Sequence, residues 1–315
     1  MNIQPRGLLS TYLKHDFRDL ALHGFQVVPN AVHNAEILAQ DIQHDIDNIQ
    51  YKTTNFTLLQ QYGVGQWESV CKSRIATIPI WKKLYQTDSL LSSWDGVSRV
   101  THEEQIEYAK RLNEFGEPNW IHRDQCCSNE NLADTIQGML ALSDANEFSY
   151  STVLYTPRNE SAQSMLDRYH NHFHRYQNKY GRVIKKVIPY EDDYYLFLED
   201  ELDWIRKNCI FTKPVLKKGD LLLWCSAMPH AACPAKNIQD LSTLNTRLAT
   251  FISMAPKHLA NSVILSERRK MFKTGLTSSH NVFLPKLFPF SSHNEQIEKK
   301  QLSDKVNKLQ KSLVG

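Results

Sequence analysis

The chain has 315 residues, 41% of them hydrophobic and 23% charged, which is enough apolar material to bury a sizeable core without disulfides or a membrane. Its formal net charge is only +3 and it has no long arginine-rich block, so nothing in it would neutralise a run of phosphates and no nucleic-acid partner is expected. Met1 to Arg18 carries Arg6, Lys14 and Arg18 without a continuous apolar run, and Lys311 to Gly315 is no peroxisomal address; neither a signal peptide nor a membrane anchor is expected. Six scattered cysteines without C-x-x-C spacing fit a reducing cytoplasm, and Cys126 and Cys127 read as reduced, partly buried thiols.

In chain order, Leu8 to His23 has a helical apolar period that Gly24 stops, and Phe25 to Val28 is a short β-rich run. Asn30 or Asn34 can cap a helix through Ala35, Leu38, Ile42 and Ile46. Tyr51 to Glu104 shows no regular pattern beyond a helix around Ile80 to Leu91. From Trp120 the texture changes to short β-rich runs at Thr135 to Ser143, Ser149 to Tyr155, Leu221 to Cys225 and Arg247 to Met254, as in an antiparallel sandwich or jelly roll. Between them lie a polar stretch, Arg158 to Lys186, and a predicted helix around Tyr194 to Lys207. The last segment carries an apolar stripe, Leu302, Val306, Leu309 and Leu313, expected to dock on its own domain. The organisation expected is one domain over 1–290, with a helical part to about 110, a β core over about 115–256 and an extension over about 257–290. A charged amphipathic tail, 291–315, follows.

Three elements carry chemistry. In Trp120-Ile121-His122-Arg123-Asp124, the histidine and aspartate are two apart, so on a strand both face the same way and could share a metal. A Gly219-Asp220 turn leads into the strand Leu221 to Cys225, which delivers Pro229-His230 at its far end, where a third ligand belongs; core packing is the other reading of His230. Arg247 is the single charge in the run Thr246 to Met254. It wants an anion if it points inward, and needs none on a solvent-facing edge. Together they compose a two-histidine, one-carboxylate face that leaves positions open on iron(II), with a clamp for the distal carboxylate of 2-oxoglutarate. A zinc hydrolase would leave the arginine unexplained.

These residues resemble the phytanoyl-CoA dioxygenase-like branch of the 2-oxoglutarate oxygenases. The resemblance runs from Gly24 to Asn30 through the His122–Asp124 motif, the Gly219 to His230 segment and Arg247. It extends through Glu267-Arg268-Arg269 to Thr277-Ser278-Ser279-His280. It implies a mainly β fold with flanking helices and a double-stranded β-helix (jelly-roll, cupin-like) core. It also implies iron(II) as cofactor, 2-oxoglutarate as cosubstrate, dioxygen and a small-molecule substrate as partners, and hydroxylation with release of succinate and carbon dioxide. The metal ligands would be His122, Asp124 and His230, with Arg247 holding 2-oxoglutarate. The presence of Asp124 disfavours halogenation. One departure is that Arg247 lies 17 positions after His230, so the hairpin through Asn237 and Leu241 must be enlarged.

Gln137 either hydrogen-bonds 2-oxoglutarate or sits on an exposed sheet face. The imidazoles of His170, His172 and His174 could share a strand face and bind metal, but a solvated loop or lid is expected. Pocket walls are expected from Tyr51 to Arg99 and Arg158 to Lys186. Tyr51, Trp67 and Tyr155 are loose candidates whose expected fate is packing, and Lys185, Lys186, Lys217 and Lys218 are paired lysines that could attract an anionic group. Rival readings are an inactive oxygenase-fold binding protein and a metal-dependent hydrolase.

Overall fold

A computed structural model describes residues 16–49, 57–124, 135–169, 194–235, 245–283, 285–288 and 303–315. The helix expected over Leu8 to His23 is described only in its last part, α1 (Arg18–His23), and Gly24 in the left-handed region closes it as read. Strand β1 (Phe25–Val28) and helix α2 (Ala35–Asp47) follow, the latter without the expected side-chain cap from Asn34. The helix expected around Ile80 to Leu91 instead spans Glu68–Tyr85 (α3), with Pro79 inside it. An interior proline costs a helix about 3 kcal/mol. Burial of Val70, Arg74, Thr77, Trp81 and Leu84 along one face outweighs that cost, and Leu90 and Leu91 pass into a strand.

The remaining elements are β2 (Leu58–Leu59), β3 (Leu90–Ser92), β4 (Val97–Val100), α4 (His102–Ala109), β5 (His122–Asp124), β6 (Ile136–Ala141), β7 (Ser151–Pro157), β8 (Tyr194–Leu196), α5 (Glu199–Asn208), β9 (Cys209–Thr212), β10 (Leu221–Cys225), β11 (His230–Cys233), β12 (Arg247–Pro256), α6 (Ser262–Lys273), β13 (Thr277–Ser278), β14 (Leu287–Phe288) and α7 (Asp304–Val314). The helix predicted over Tyr194 to Lys207 thus loses its start to β8, which pairs with β5. The helix proper begins at Glu199, where Glu201 accepts the backbone N–H of Leu198.

A seven-stranded sheet has the order β1-β10-β6-β12-β4-β2, with β3 beside β12, and a five-stranded sheet has the order β8-β5-β11-β7-β9. Every pair is antiparallel. Along the chain β4, β6, β10 and β12 fall in the first sheet while β5, β7, β9 and β11 fall in the second, so the backbone repeatedly crosses between them. The result is a β-rich body with flanking helices.

Two glycines are dictated by close approach. Gly219 has φ +95°, and a Cβ there would lie 2.7 Å from the carbonyl oxygen of Val32; the adjoining Asp220 carboxylate accepts the backbone N–H groups of Asn30 and Lys217. Gly138 in β6 leaves room for the indole of Trp81, 2.8 Å from its would-be Cβ, so α3 seats directly on the sheet. The C-terminal helix docks on its own domain: α7 packs on α3, α6 and β3 and buries Val306 and Leu313 of the expected stripe, whereas Leu309 stays exposed and Leu302 lies outside the described residues. No described helix is long and apolar enough to cross a membrane.

Candidate metal centre and its cavity

Strand alternation sets the site. On β5, His122 and Asp124 face the interior while Arg123 points the other way, its guanidinium over the ring of Tyr169 at 5.4 Å. Antiparallel register places His230, the first residue of β11, directly opposite His122, their ring centroids 4.4 Å apart. His122, Asp124 and His230 each offer one ligand atom, all within 4.8 Å of one another. The Nε2 of His122 lies 3.6 Å from one Asp124 oxygen and that of His230 lies 3.2 Å from the other.

The tautomers follow from the backbone. Nδ1 of His122 donates to the carbonyl of Trp120 at 3.0 Å, and Nδ1 of His230 donates to that of Met228 at 2.9 Å. A neutral imidazole with its proton on Nδ1 presents a lone pair at Nε2. Burial, with His230 close by, pushes His122 down to about 4, so it stays neutral near pH 7. Burial works against ionisation of Asp124, but His280 and His230 beside it override that and hold the carboxyl well below the usual range. This donor set, with each histidine oriented through its outer nitrogen, fits an iron(II) centre of the two-histidine, one-carboxylate kind.

Gln137 on β6 does not face an exposed sheet surface: it is 4% exposed, and its Nε2 donates to Oδ2 of Asp124 at 2.5 Å, linking the two sheets at the site. Arg247 opens β12 on the interior face and is 5% exposed, which removes the solvent-facing reading. Among the described residues its Nη2 meets only the sulfur of Met139 at 3.1 Å and the hydroxyl of Thr152 at 3.4 Å, with the Tyr150 ring at 5.3 Å. Among the described residues no carboxylate pairs with it, and burial pushes its pKa down to about 10. The enlarged hairpin expected before it, through Asn237 and Leu241, lies outside the described residues, as do the His170, His172 and His174 cluster, Cys126, Cys127, Tyr51, Lys185 and Lys186.

His122, Asp124, Gln137, His230 and Arg247 all line one cavity of about 1020 Å³. Its walls include Thr57, Gln60 and Ser98, from the first stretch expected to supply them, and also Tyr108, Leu112 and Trp120, from a stretch not expected to. Trp67 and Tyr155 pack in the core as anticipated. Lys217 and Lys218 pair with Asp144 and Glu36, which spends their charge locally.

Two site residues carried no assigned role in the sequence reading. Asp95, between β3 and β4, is buried in the cavity wall; burial raises its carboxyl to about 6 against the opposing hydrogen bond from Gly96. His280, just beyond β13, brings Nδ1 to 3.9 Å from Asp124. The two loops are laced together: the carbonyl of Trp94 accepts from the backbone of Ser278, whose hydroxyl accepts from the backbone of Trp94, both at 2.9 Å. The only signals available were the Asp95-Gly96 dipeptide and the C-terminal stretch of the family resemblance.

No family model matches the chain. Among curated proteins it is similar to the Ava biosynthesis cluster protein O of Aspergillus versicolor, with 28% identity over 227 residues; the match covers 70% of this chain and 64% of that protein's length. Among solved structures, the epimerase SnoN in complex with Fe3+, alpha ketoglutarate and nogalamycin RO aligns with a TM-score of 0.45 and 11% identity, over 79% of this chain and 82% of that one. HygX from Streptomyces hygroscopicus, with nickel and 2-oxoglutarate bound, aligns with a TM-score of 0.42 and 12% identity, over 80% and 87%. GlcNAc Inducible Gene 2 from Candida albicans aligns with a TM-score of 0.48 and 12% identity, over 81% and 66%.

Proposed function

We propose that this chain is an iron(II)- and 2-oxoglutarate-dependent dioxygenase that hydroxylates a small molecule. In this reading His122, Asp124 and His230 hold the metal and Arg247 holds the distal carboxylate of 2-oxoglutarate. The observation that carries it is the pairing, in one buried cavity, of a two-histidine, one-carboxylate donor face with a guanidinium that has no carboxylate partner among the described residues. A hydrolytic metal site would account for the first and not the second.

The repeated crossing of the chain between two antiparallel sheets from β4 to β12 supports a double-stranded β-helix for the core. The Thr277 to His280 stretch belongs to the phytanoyl-CoA dioxygenase-like resemblance, and its folding back onto Asp124 supports placing the chain in that branch. A relative from a biosynthesis cluster supports a small-molecule substrate. Four buried free cysteines support a reducing, cytoplasmic setting.

Bound iron and 2-oxoglutarate would supply the oxidising chemistry: dioxygen is consumed, 2-oxoglutarate is converted to succinate and carbon dioxide, and a substrate C–H bond gains a hydroxyl. The protein's part is orientation and exclusion of water. The carbonyls of Trp120 and Met228 hold the Nδ1 protons and so turn both Nε2 atoms inward. Gln137 fixes the rotation of Asp124 through one oxygen, leaving the other toward His122. Arg247 has lost its hydration to burial and gains most from a bidentate carboxylate; Thr152 and Tyr150 flank the same place.

Succinate release from 2-oxoglutarate under air tests the reading. Wild type loaded with iron(II) should release succinate even without substrate, at a low rate, and His122→Ala should release none above the rate of free iron. Normal iron loading and turnover by His122→Ala would overturn the assignment.

A further inference from the structure

We propose that the cavity selects a ring-bearing substrate with a protonated nitrogen, the ring against Trp120 and Tyr194 and the nitrogen against Asp95. The proposal rests on the oxygenase reading, because it assigns Arg247 to the cosubstrate. At about 1020 Å³ the cavity is at the upper end for small-molecule sites, and a small diacid held at Arg247 leaves most of it to a second molecule.

One wall is aromatic and adjoins His122. The rings of Trp120 and Tyr194 are 4.8 Å apart, and Trp120 lies 5.1 Å from His122. Tyr194 keeps 37% of its surface exposed although a side chain of that size gains by burial. A flat ring laid on this pair would stand beside His122, within reach of the oxidising centre.

Another wall carries a charge of the opposite sign to Arg247. Asp95 is 5% exposed, and two of its acceptor positions are used, by the backbone N–H of Gly96 at 2.6 Å and by the side chain of Gln60. A carboxylate offers about four. Among the described residues no lysine or arginine forms a salt bridge with it. The charged and titratable groups that act on it are His280, Asp124 and the buried Arg74, which also donates to the carbonyl of Gly65 and the amide of Gln310. A buried carboxylate kept at this cost is relieved by a cationic ligand. Of the other cations lining the cavity, Arg111 pairs with Glu107.

Tryptamine and indole-3-propionate share a ring and differ in the sign of their charge, and their binding can be measured calorimetrically on protein loaded with iron(II) and 2-oxoglutarate without oxygen. Tryptamine should bind at least about tenfold more tightly, and Asp95→Asn, which keeps an acceptor for Gly96, should remove that preference. Trp120→Ala should weaken both probes by a similar factor. Equal or tighter binding of indole-3-propionate, no binding of either probe, or an unchanged preference in Asp95→Asn would overturn the proposal. The visible band of the iron–2-oxoglutarate chelate, read on the same samples, separates the two levels. A missing band with the tryptamine preference intact contradicts the oxygenase reading alone, and a normal band without the preference contradicts only the substrate class.

Discussion

Arg268 and Arg247 are both buried and neither has a carboxylate partner among the described residues, yet they sit in opposite kinds of surroundings. Arg268, on α6, donates to the carbonyls of Val314, Ser92 and Leu313 at 2.9, 2.8 and 3.1 Å and lies over the ring of Trp94. Through Nε and Nη2 it ties α7 to β3. Arg247 faces a cavity and meets a thioether, a hydroxyl and a ring. Burial lowers both pKa values, to about 9 and about 10, so the degree of desolvation does not tell them apart. The acceptors do: a guanidinium held by three backbone carbonyls is a staple, and one left with weak acceptors beside a buried donor face suits the anion proposed for it.

The sharpest way to break this comparison is on stability. Arg268→Met should cost roughly 3–5 kcal/mol, since it strands three buried carbonyls and releases the C-terminal helix; urea unfolding would show it. A loss below about 1 kcal/mol would mean that the staple does no structural work.

Asp95 tests the same logic with the opposite charge, and pH gives the sign. Its folded pKa of about 6 is above the ordinary 3.8, so its contribution to stability is fully present below about pH 4 and is lost as pH rises through 6. In metal-free protein, Asp95→Asn should therefore be relatively more stable at pH 7.5 than at pH 4, by roughly 3 kcal/mol compared with wild type. A variant destabilised equally at both pH values would mark Asp95 as a purely structural acceptor for the Trp94–Gly96 turn.

The smallest effect belongs to Arg247→Met, which should leave the stability of the cofactor-free protein within about 1 kcal/mol of wild type. It should nonetheless forfeit the roughly 2.7 kcal/mol of stabilisation that 2-oxoglutarate at a hundred times its dissociation constant confers on the metal-loaded protein. Thermal shifts with and without 2-oxoglutarate decide this. Equal shifts in the two proteins would remove Arg247 from the site.

What could be read from sequence follows the same division between regular and irregular backbone. The period of two placed His122 and Asp124 on one face, and a turn feeding an apolar strand located His230, because strand geometry makes spacing equivalent to direction. Arg247 stood out as one charge in an apolar run. Gln137 was legible as a polar residue on a strand, but its partner was not, because Asp124 belongs to the other sheet and that contact depends on how the sheets stack. Asp95 and His280 lie on loops laced together across 184 residues through Trp94 and Ser278, a pairing without periodic signature. Helix α3 was misplaced because Pro79 and the local propensities argue against a helix that burial of Trp81 over Gly138 sustains. Strand β8 was lost for a related reason: its edge pairing with β5 is a tertiary fact, not a local preference.

The central claim is that one cavity holds iron(II) on His122, Asp124 and His230 and 2-oxoglutarate on Arg247. Its most direct test is anaerobic titration of the metal-free protein with iron(II) and then 2-oxoglutarate, following the visible metal-to-ligand charge-transfer band of the chelate in wild type and Arg247→Met. The account predicts a saturable band in wild type that needs a much higher 2-oxoglutarate concentration in the variant. A folded, iron-loaded wild type with no band, or a band with the same concentration dependence in both proteins, would contradict it.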